Sequence, residues 1–221
     1  MSFDFSKKSE DIVVAYHGVD TIFKPRENYS AAILDEVRKK FNLPDNFLLY
    51  VGRLNLRKNV EHLLRAIPLL KNKTIQLVIV GANDWKKSNH NHIIEELNIT
   101  GRIHFTGAVY RELGIIYSMA TIFCFPSYAE SFGLPPLEAM ASGVPIVVSN
   151  ATSLPEICGD AGHYIHPNRP EEIAAGIDKL LNDSDYYAQQ KQRGLIQAKK
   201  FTWDHAAKTV IDSMISNVKM P

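Results

Sequence analysis

The chain is poor in cysteine, in net charge and in long apolar runs, and each scarcity removes a class of function. Cys124 and Cys158 stand alone, with no C-x-x-C pair and no zinc-type spacing. They read as buried free thiols of a reducing compartment. A net charge of +1 argues against nucleic acid or a strongly acidic partner. No apolar stretch approaches the roughly 18 residues of a membrane span. No charged-then-apolar leader opens the sequence, so the expected compartment is the cytoplasm. No G-x-G-x-x-G follows the first strand candidate, which disfavours a dehydrogenase-type dinucleotide site. There is no cluster of acidic metal ligands either. His90 and His92 in KKSNHNH read as solvent-facing loop histidines. With no repeat, low-complexity tract or internal linker, 221 residues suffice for one domain of ordinary size.

What is present is a regular alternation. Residues 1–10 are polar and aperiodic and are set aside as a lead-in, leaving residues 11–221 as one domain. Short β-branched or aromatic runs mark strand candidates at 12–16 (IVVAY), 47–52 (FLLYVG), 75–81 (IQLVIVG), 102–107 (RIHFTG), 121–126 (TIFCFP), 145–150 (PIVVSN) and 163–167 (HYIHP). Helices are predicted at 28–41, with Ile33, Leu34, Val37 and Phe41 on one face, at 88–97, with Ile93, Ile94 and Leu97 inward, and at 110–119. Another follows Asn59, the expected N-cap, with Val60, Leu63, Leu64, Ile67 and Leu70 on one face and Pro68 to kink or end it. Helices at 170–181, 186–200 and 202–218 close the chain, the last with Trp203, Ala207, Val210, Met214 and Val218 on one stripe. This order predicts an α/β fold: a doubly wound, Rossmann-like parallel sheet with helices on both faces. Such sheets bind ligands at the carboxyl ends of their strands, so chemistry is sought in the loops there.

The most informative loop is 127–143, SYAESFGLPPLEAMASG. Pro135 and Pro136 suit the first turn of a helix, whose amides and dipole favour an anion. Gly133 lets the backbone approach a ligand. Glu130 in the loop and Glu138, expected in the helix's first turn, can each accept paired hydrogen bonds from neighbouring sugar hydroxyls. An anion between two hydroxyl-binding carboxylates describes a nucleotide sugar. After the strand at 47–52, Gly52 precedes Arg53 and Lys58, with Arg57 as a second basic candidate. A bidentate Arg and a point-charge Lys suit a pyrophosphate. The plain alternatives are an exposed helical Glu pair and a solvated basic loop. Gly81 in VGAND permits another close backbone approach to a ligand. Glu156 and Asp160 read as caps on a short helix or as pocket residues.

Together these motifs resemble the signature of the retaining glycosyltransferases of the GT-B fold, in the family numbered four. The matching residues are E-x7-E (Glu130, Glu138), then AMASGVPIVVSN, with G-R-L-x-x-x-K at 52–58 upstream. Asn59 replaces the glycine usual after that lysine, which puts the loop's backbone shape in question. The resemblance runs from HGVD at 17–20 to the last helix. It implies the C-terminal, donor-binding domain of an enzyme whose N-terminal acceptor domain is missing. Arg53 and Lys58 would neutralise charge developing on the β-phosphate. Glu130, Ser131, Phe132, Gly133 and Leu134 would meet the donor sugar and phosphate, and Glu138 the ribose diol, both carboxylates staying ionised. Gly52, Gly81 and the backbone at Val109 would line the donor pocket. Preplaced cations stand in for a metal, so neither metal nor cofactor is implied; the nucleotide sugar is a substrate. HGVD would lie at the domain junction, and the last helix would cross to the first domain with part of its apolar face exposed. Packing of most of that helix on its own sheet is the ordinary alternative.

The stretch SLPEICGDAG looks like that of mannosyltransferases acting on surface polysaccharides, a pointer to GDP-mannose. The implied function is transfer of a hexose, with retention, from a GDP- or UDP-sugar to a glycan or lipid-linked acceptor. The full enzyme is expected in the cytoplasm or peripherally at the inner face of a membrane, and this chain is expected to be inactive alone. The alternative is a non-catalytic nucleotide-binding module, which needs the cations but not Glu130.

Overall fold

The computed structural model describes residues 12–82 and 90–217. The lead-in at 1–10, the second half of VGAND, the predicted helix start at Ser88 and Val218 lie outside the described residues. Six strands form one parallel sheet: β1 (Phe47–Val51), β2 (Gln76–Val80), β3 (Ile103–Gly107), β4 (Ile122–Phe125), β5 (Ile146–Ser149) and β6 (Gly162–Ile165). Their order is β3-β2-β1-β4-β5-β6. The chain winds outward from β1 to β3, then returns to lay β4 against the other side of β1. The loops after β1 and β4 therefore leave the sheet in opposite directions and open a crevice between them. The register pairs Leu48 with Leu77 on one side and with Ile122 on the other.

The helices are α1 (Ala31–Phe41), α2 (Val60–Ala66), α3 (His90–Glu96), α4 (Leu113–Met119), α5 (Leu134–Ala141), α6 (Leu154–Cys158), α7 (Pro170–Asn182), α8 (Ser184–Ala198) and α9 (Trp203–Asn217). α2 packs with α3 and α7; α4 packs with α1 and α5, and α5 with α8. With both faces covered, the central strands have no polar side. Phe47, Leu48, Leu49 and Tyr50 are fully buried, as are Ile122, Phe123, Cys124 and Phe125. Both cysteines are free and buried. Burial pushes the Cys158 thiol up to about 12, which makes it inert. No helix among the described residues is long and apolar enough to cross a membrane.

Several expectations need correction. IVVAY forms no strand: Ile12, Val13 and Val14 are 62, 56 and 60% exposed, and Tyr16 packs against the core. Val19 N–H donates to Phe201 O, and a Cβ on Gly18 would lie 2.2 Å from Trp203 N. That contact holds the segment against the start of α9 instead of a strand edge. α1 starts at Ala31, not at 28, because Ser30 caps it by accepting from Ile33 N–H. Ile33 is 37% exposed, so the inward face is centred on Val37. Pro68 ends α2 as expected; a 3-10 turn, Ile67–Leu69, follows. α9 is not packed down along its length: Trp203, Val210, Ile211, Met214 and Ile215 are 41–67% exposed. His90 is buried rather than solvent-facing, and burial lowers its pKa; His92 is exposed.

Candidate functional site

Glycines set the loops after β1, β2 and β3 side by side. Gly52 has a φ of +152°. Gly52 N–H donates to Val80 O and Gly81 N–H to Gly107 O, both at 3.0 Å. A Cβ on Gly81 would sit 2.1 Å from the Gly52 carbonyl oxygen. The close backbone approach that Gly81 makes here is to the neighbouring loop. Val109 has its side chain buried.

Beyond Gly52 the chain makes a 3-10 turn, Leu56–Lys58, capped by the Asn55 side chain accepting from Lys58 N–H at 3.1 Å. Asn59 follows at φ 54°, ψ 38°, the left-handed conformation that asparagine tolerates better than most residues. The loop therefore keeps the backbone a glycine would give. Asn59 does not cap α2 with its side chain. Its amide instead donates to Pro126 O at 2.9 Å and Pro167 O at 2.7 Å.

The turn delivers Lys58 to the loop after β4. Lys58 Nζ lies 2.8 Å from Glu130 Oε1, with side chains only 12 and 8% exposed. Arg57 takes the second carboxylate oxygen at 3.1 Å and donates to Ala129 O. Ser127 Oγ donates to Glu130 Oε1 at 2.5 Å, and the Lys58 ammonium stands 4.8 Å from the Phe125 ring centroid. The Glu130 backbone is held as well. Its N–H donates to Thr152 Oγ1 at 2.8 Å, and Ser153 Oγ contacts Glu130 O and Phe132 O at 3.0 and 2.8 Å. Thr152 has a φ of +51°, a costly conformation for a β-branched residue. Ser127, Thr152, Ser153 and the side-chain role of Asn59 were not legible in the sequence; they depend on which loops meet.

Arg53 does not join this cluster. It is exposed and its side chain makes no hydrogen bond or ion pair with another described residue; the second cation on Glu130 is Arg57. Ser131 is exposed and Leu134 is 37% exposed. Phe132 turns inward, with ring centroids 5.0, 6.2 and 5.9 Å from His17, Tyr16 and Phe201. Gly133, at φ +114°, precedes α5. Few amides are left at the helix start. Pro135 and Pro136 have no N–H and Leu137 N–H bonds to Gly133 O, leaving those of Gly133 and Leu134.

Glu138 is the fifth residue of α5, beyond the first turn. Its partner is Tyr117, whose hydroxyl donates at 2.8 Å. Burial raises its pKa above the usual carboxylate value, the Tyr117 bond opposes this, and the Asp20 charge adds to it. The two glutamates thus have different surroundings, one saturated by cations and one beside a neutral donor. Glu156 accepts from Tyr16 Oη, tying α6 to the segment leading into HGVD. Among the described residues no three His, Cys, Asp or Glu side chains group as metal ligands do.

The family described as glycosyl transferases group 1 matches residues 34–197, a span that holds both the cationic turn and the glutamate pair. The chain belongs to that family. O-antigen chain mannosyltransferase B of Escherichia coli is 36% identical to this glycosyltransferase chain over 214 residues, covering 95% of it and 55% of the E. coli protein. Serotype-specific mannosyltransferase WbdA of E. coli is 34% identical over 191 residues, covering 84% of this chain and 23% of its own length. The chain therefore spans about half or less of these relatives. Among solved structures, the C-terminal domain of a group 1 glycosyl transferase (LpcC) from Francisella tularensis is 25% identical with a TM-score of 0.70; the match covers 83% of this chain and 97% of that domain. Anabaena Alr3699/HepE in complex with UDP-glucose shares the fold at 21% identity and a TM-score of 0.83, with 96% of this chain and 59% of that one covered.

Proposed function

We propose that the chain binds the nucleotide-diphosphate sugar donor of a retaining hexosyltransferase, at the crevice between the β1 and β4 loops. The observation that carries this reading is the meeting of Lys58 and Arg57 with Glu130 at the topological switch point. Without ligand, the Glu130 carboxylate neutralises the cations. A diphosphate can take its place, and Glu130 is then free to accept sugar hydroxyls. In the reaction the bond from the sugar's anomeric carbon to the diphosphate oxygen breaks, its electrons passing to the β-phosphate. The acceptor oxygen bonds that carbon on the same face, and its proton leaves with the diphosphate. Preplaced cations stabilise the leaving group without reorganising, so Lys58 and Arg57 supply the charge a metal would. Glu138 beside Tyr117 is the candidate for the ribose diol.

The donor proposed first is GDP-mannose, in line with the mannosyltransferase relatives, with UDP-glucose second. The acceptor is a glycan or lipid-linked glycan of a surface polysaccharide. It is held by an N-terminal domain that covers the apolar face of α9, with the full enzyme peripheral to the membrane's inner face. Residues 11–221 form one donor domain that transfers nothing alone. A thermal-shift panel of GDP-mannose, UDP-glucose, GDP, UDP and NAD tests this, since a ligand of the native state raises Tm. The expected order puts a nucleotide sugar above its own diphosphate and NAD at baseline. A flat panel contradicts it.

A second reading has support in the saturation of Glu130: the carboxylate is purely structural and the chain is a non-catalytic nucleotide module. The sugar then adds no shift beyond the diphosphate.

A further inference from the structure

Asn59 makes more contacts than its place in a turn requires. It is 3% exposed and directly follows Lys58. Its amide nitrogen donates to Pro126 O, just past β4, and to Pro167 O, just past β6. Its Oδ1 lies 2.6 Å from His62 Nδ1, on α2. These contacts determine one another. Only the amide nitrogen can serve two carbonyls, so the oxygen faces His62. His62 must then carry a proton on Nδ1. Tyr128 Oη, 3.3 Å from the same nitrogen, is a longer second contact. Protonation at Nε2 leaves the Nδ1–H in place, so the bond to Asn59 survives a change in ring charge.

One side chain thus ties three strand-end loops. Lys58 precedes it on the first. Pro126 leads on the second into Ser127, which bonds Glu130. The third, after β6, is an anchor. We propose that Asn59 is a positioning residue for the donor: it fixes the loop after β1 against those after β4 and β6, so that the Lys58 ammonium faces the crevice in which a diphosphate is received. The inference rests on the nucleotide-sugar reading above. A glycine at this position supplies the same backbone but none of the three bonds.

Asn59→Gly isolates the side chain, because the left-handed backbone is kept. Calorimetric titration of GDP and UDP into the wild-type chain, Asn59→Gly, Lys58→Ala and the double variant tests the inference. Asn59→Gly is expected to weaken the tighter nucleotide about tenfold. In the Lys58→Ala background it should cause almost no further loss, because the two act as one unit. A merely structural role gives a lower Tm and the same fold-loss in both backgrounds, which overturns the proposal, as does unchanged affinity. A ligand-free readout runs in parallel. The Lys58 ammonium NMR signal should be sharp in the wild type and broadened by exchange in Asn59→Gly; a signal that stays sharp overturns the positioning role. If the wild type binds neither nucleotide, the donor reading fails, and the ammonium signal decides the role of Asn59 by itself.

Discussion

The crevice and the last helix differ in how far the chain itself satisfies its own groups. At the crevice, Lys58 and Glu130 are nearly buried, and the carboxylate has partners on both oxygens. Along α9, Val210, Ile211, Met214 and Ile215 are exposed by 41–67%. Beside the start of α9, a groove of about 700 Å³ is lined by Val19, Phe23, Leu195, Ile196, Phe201 and Trp203, among others. The first region is complete within the chain and can only exchange one polar partner for another. The second keeps apolar area in water that another protein surface could cover, and each square ångström covered is worth about 25 cal/mol. Exchange of one polar partner for another suits the first, and an apolar covering surface suits the second.

Substitutions can break or sharpen this contrast. The largest effect is expected from Gly81→Ala, whose Cβ would meet the Gly52 carbonyl oxygen at 2.1 Å. Two loops of the sheet must part, at about 3 kcal/mol, read as a lower denaturation midpoint for the whole chain. Glu130→Ala should cost about 2 kcal/mol, because Lys58, 12% exposed, loses its counter-charge. Donor binding should fall with it; a variant as stable as the wild type breaks the picture of a saturated crevice. Gly18→Ala forces an equally hard clash with Trp203 N, but in the second region. About 1 kcal/mol is expected, as local release of residues 12–20 that speeds hydrogen exchange at Val19 while the sheet amides stay protected.

A smaller effect is expected for Glu138→Gln, with a sign set by pH. Burial raises the folded-state pKa of Glu138, so its stabilising share is present below the unfolded value, about 4.3, and is lost as pH rises through the folded value. The Gln variant should gain Tm relative to wild type between pH 4 and 7, and the gain should vanish at the acid end. Met214→Lys, at a position 64% exposed, should change stability by less than about 0.5 kcal/mol. A large loss there means α9 is packed in solution.

The sheet was legible because fully buried strands read as unbroken apolar runs, and FLLYV and IFCF are buried at every position but Val51. The same signal misread IVVAY, since β-branched residues show readiness to pair but not whether an edge is open. The Glu130 loop and Lys58 were found from residue type and spacing. Spacing marks both Arg53 and Arg57 as basic candidates but does not say how the loop turns, and so not which of them meets Glu130. The 3-10 turn capped by Asn55 rotates residues 57 and 58 together toward Glu130. Asn59 was legible as a departure from a glycine and as an expected N-cap, a role its side chain does not take. Its contacts with Pro126 and Pro167, 67 and 108 residues away, depend on strand order, which no local pattern carries.

A crystal structure of the chain soaked with GDP-mannose and, separately, UDP-glucose tests the central claim most directly. The predicted density shows the diphosphate against the Lys58 ammonium, with the Glu130 carboxylate turned from the cations onto sugar hydroxyls. Density for the nucleotide sugar elsewhere, with the Lys58–Glu130 pair still closed at 2.8 Å, contradicts it.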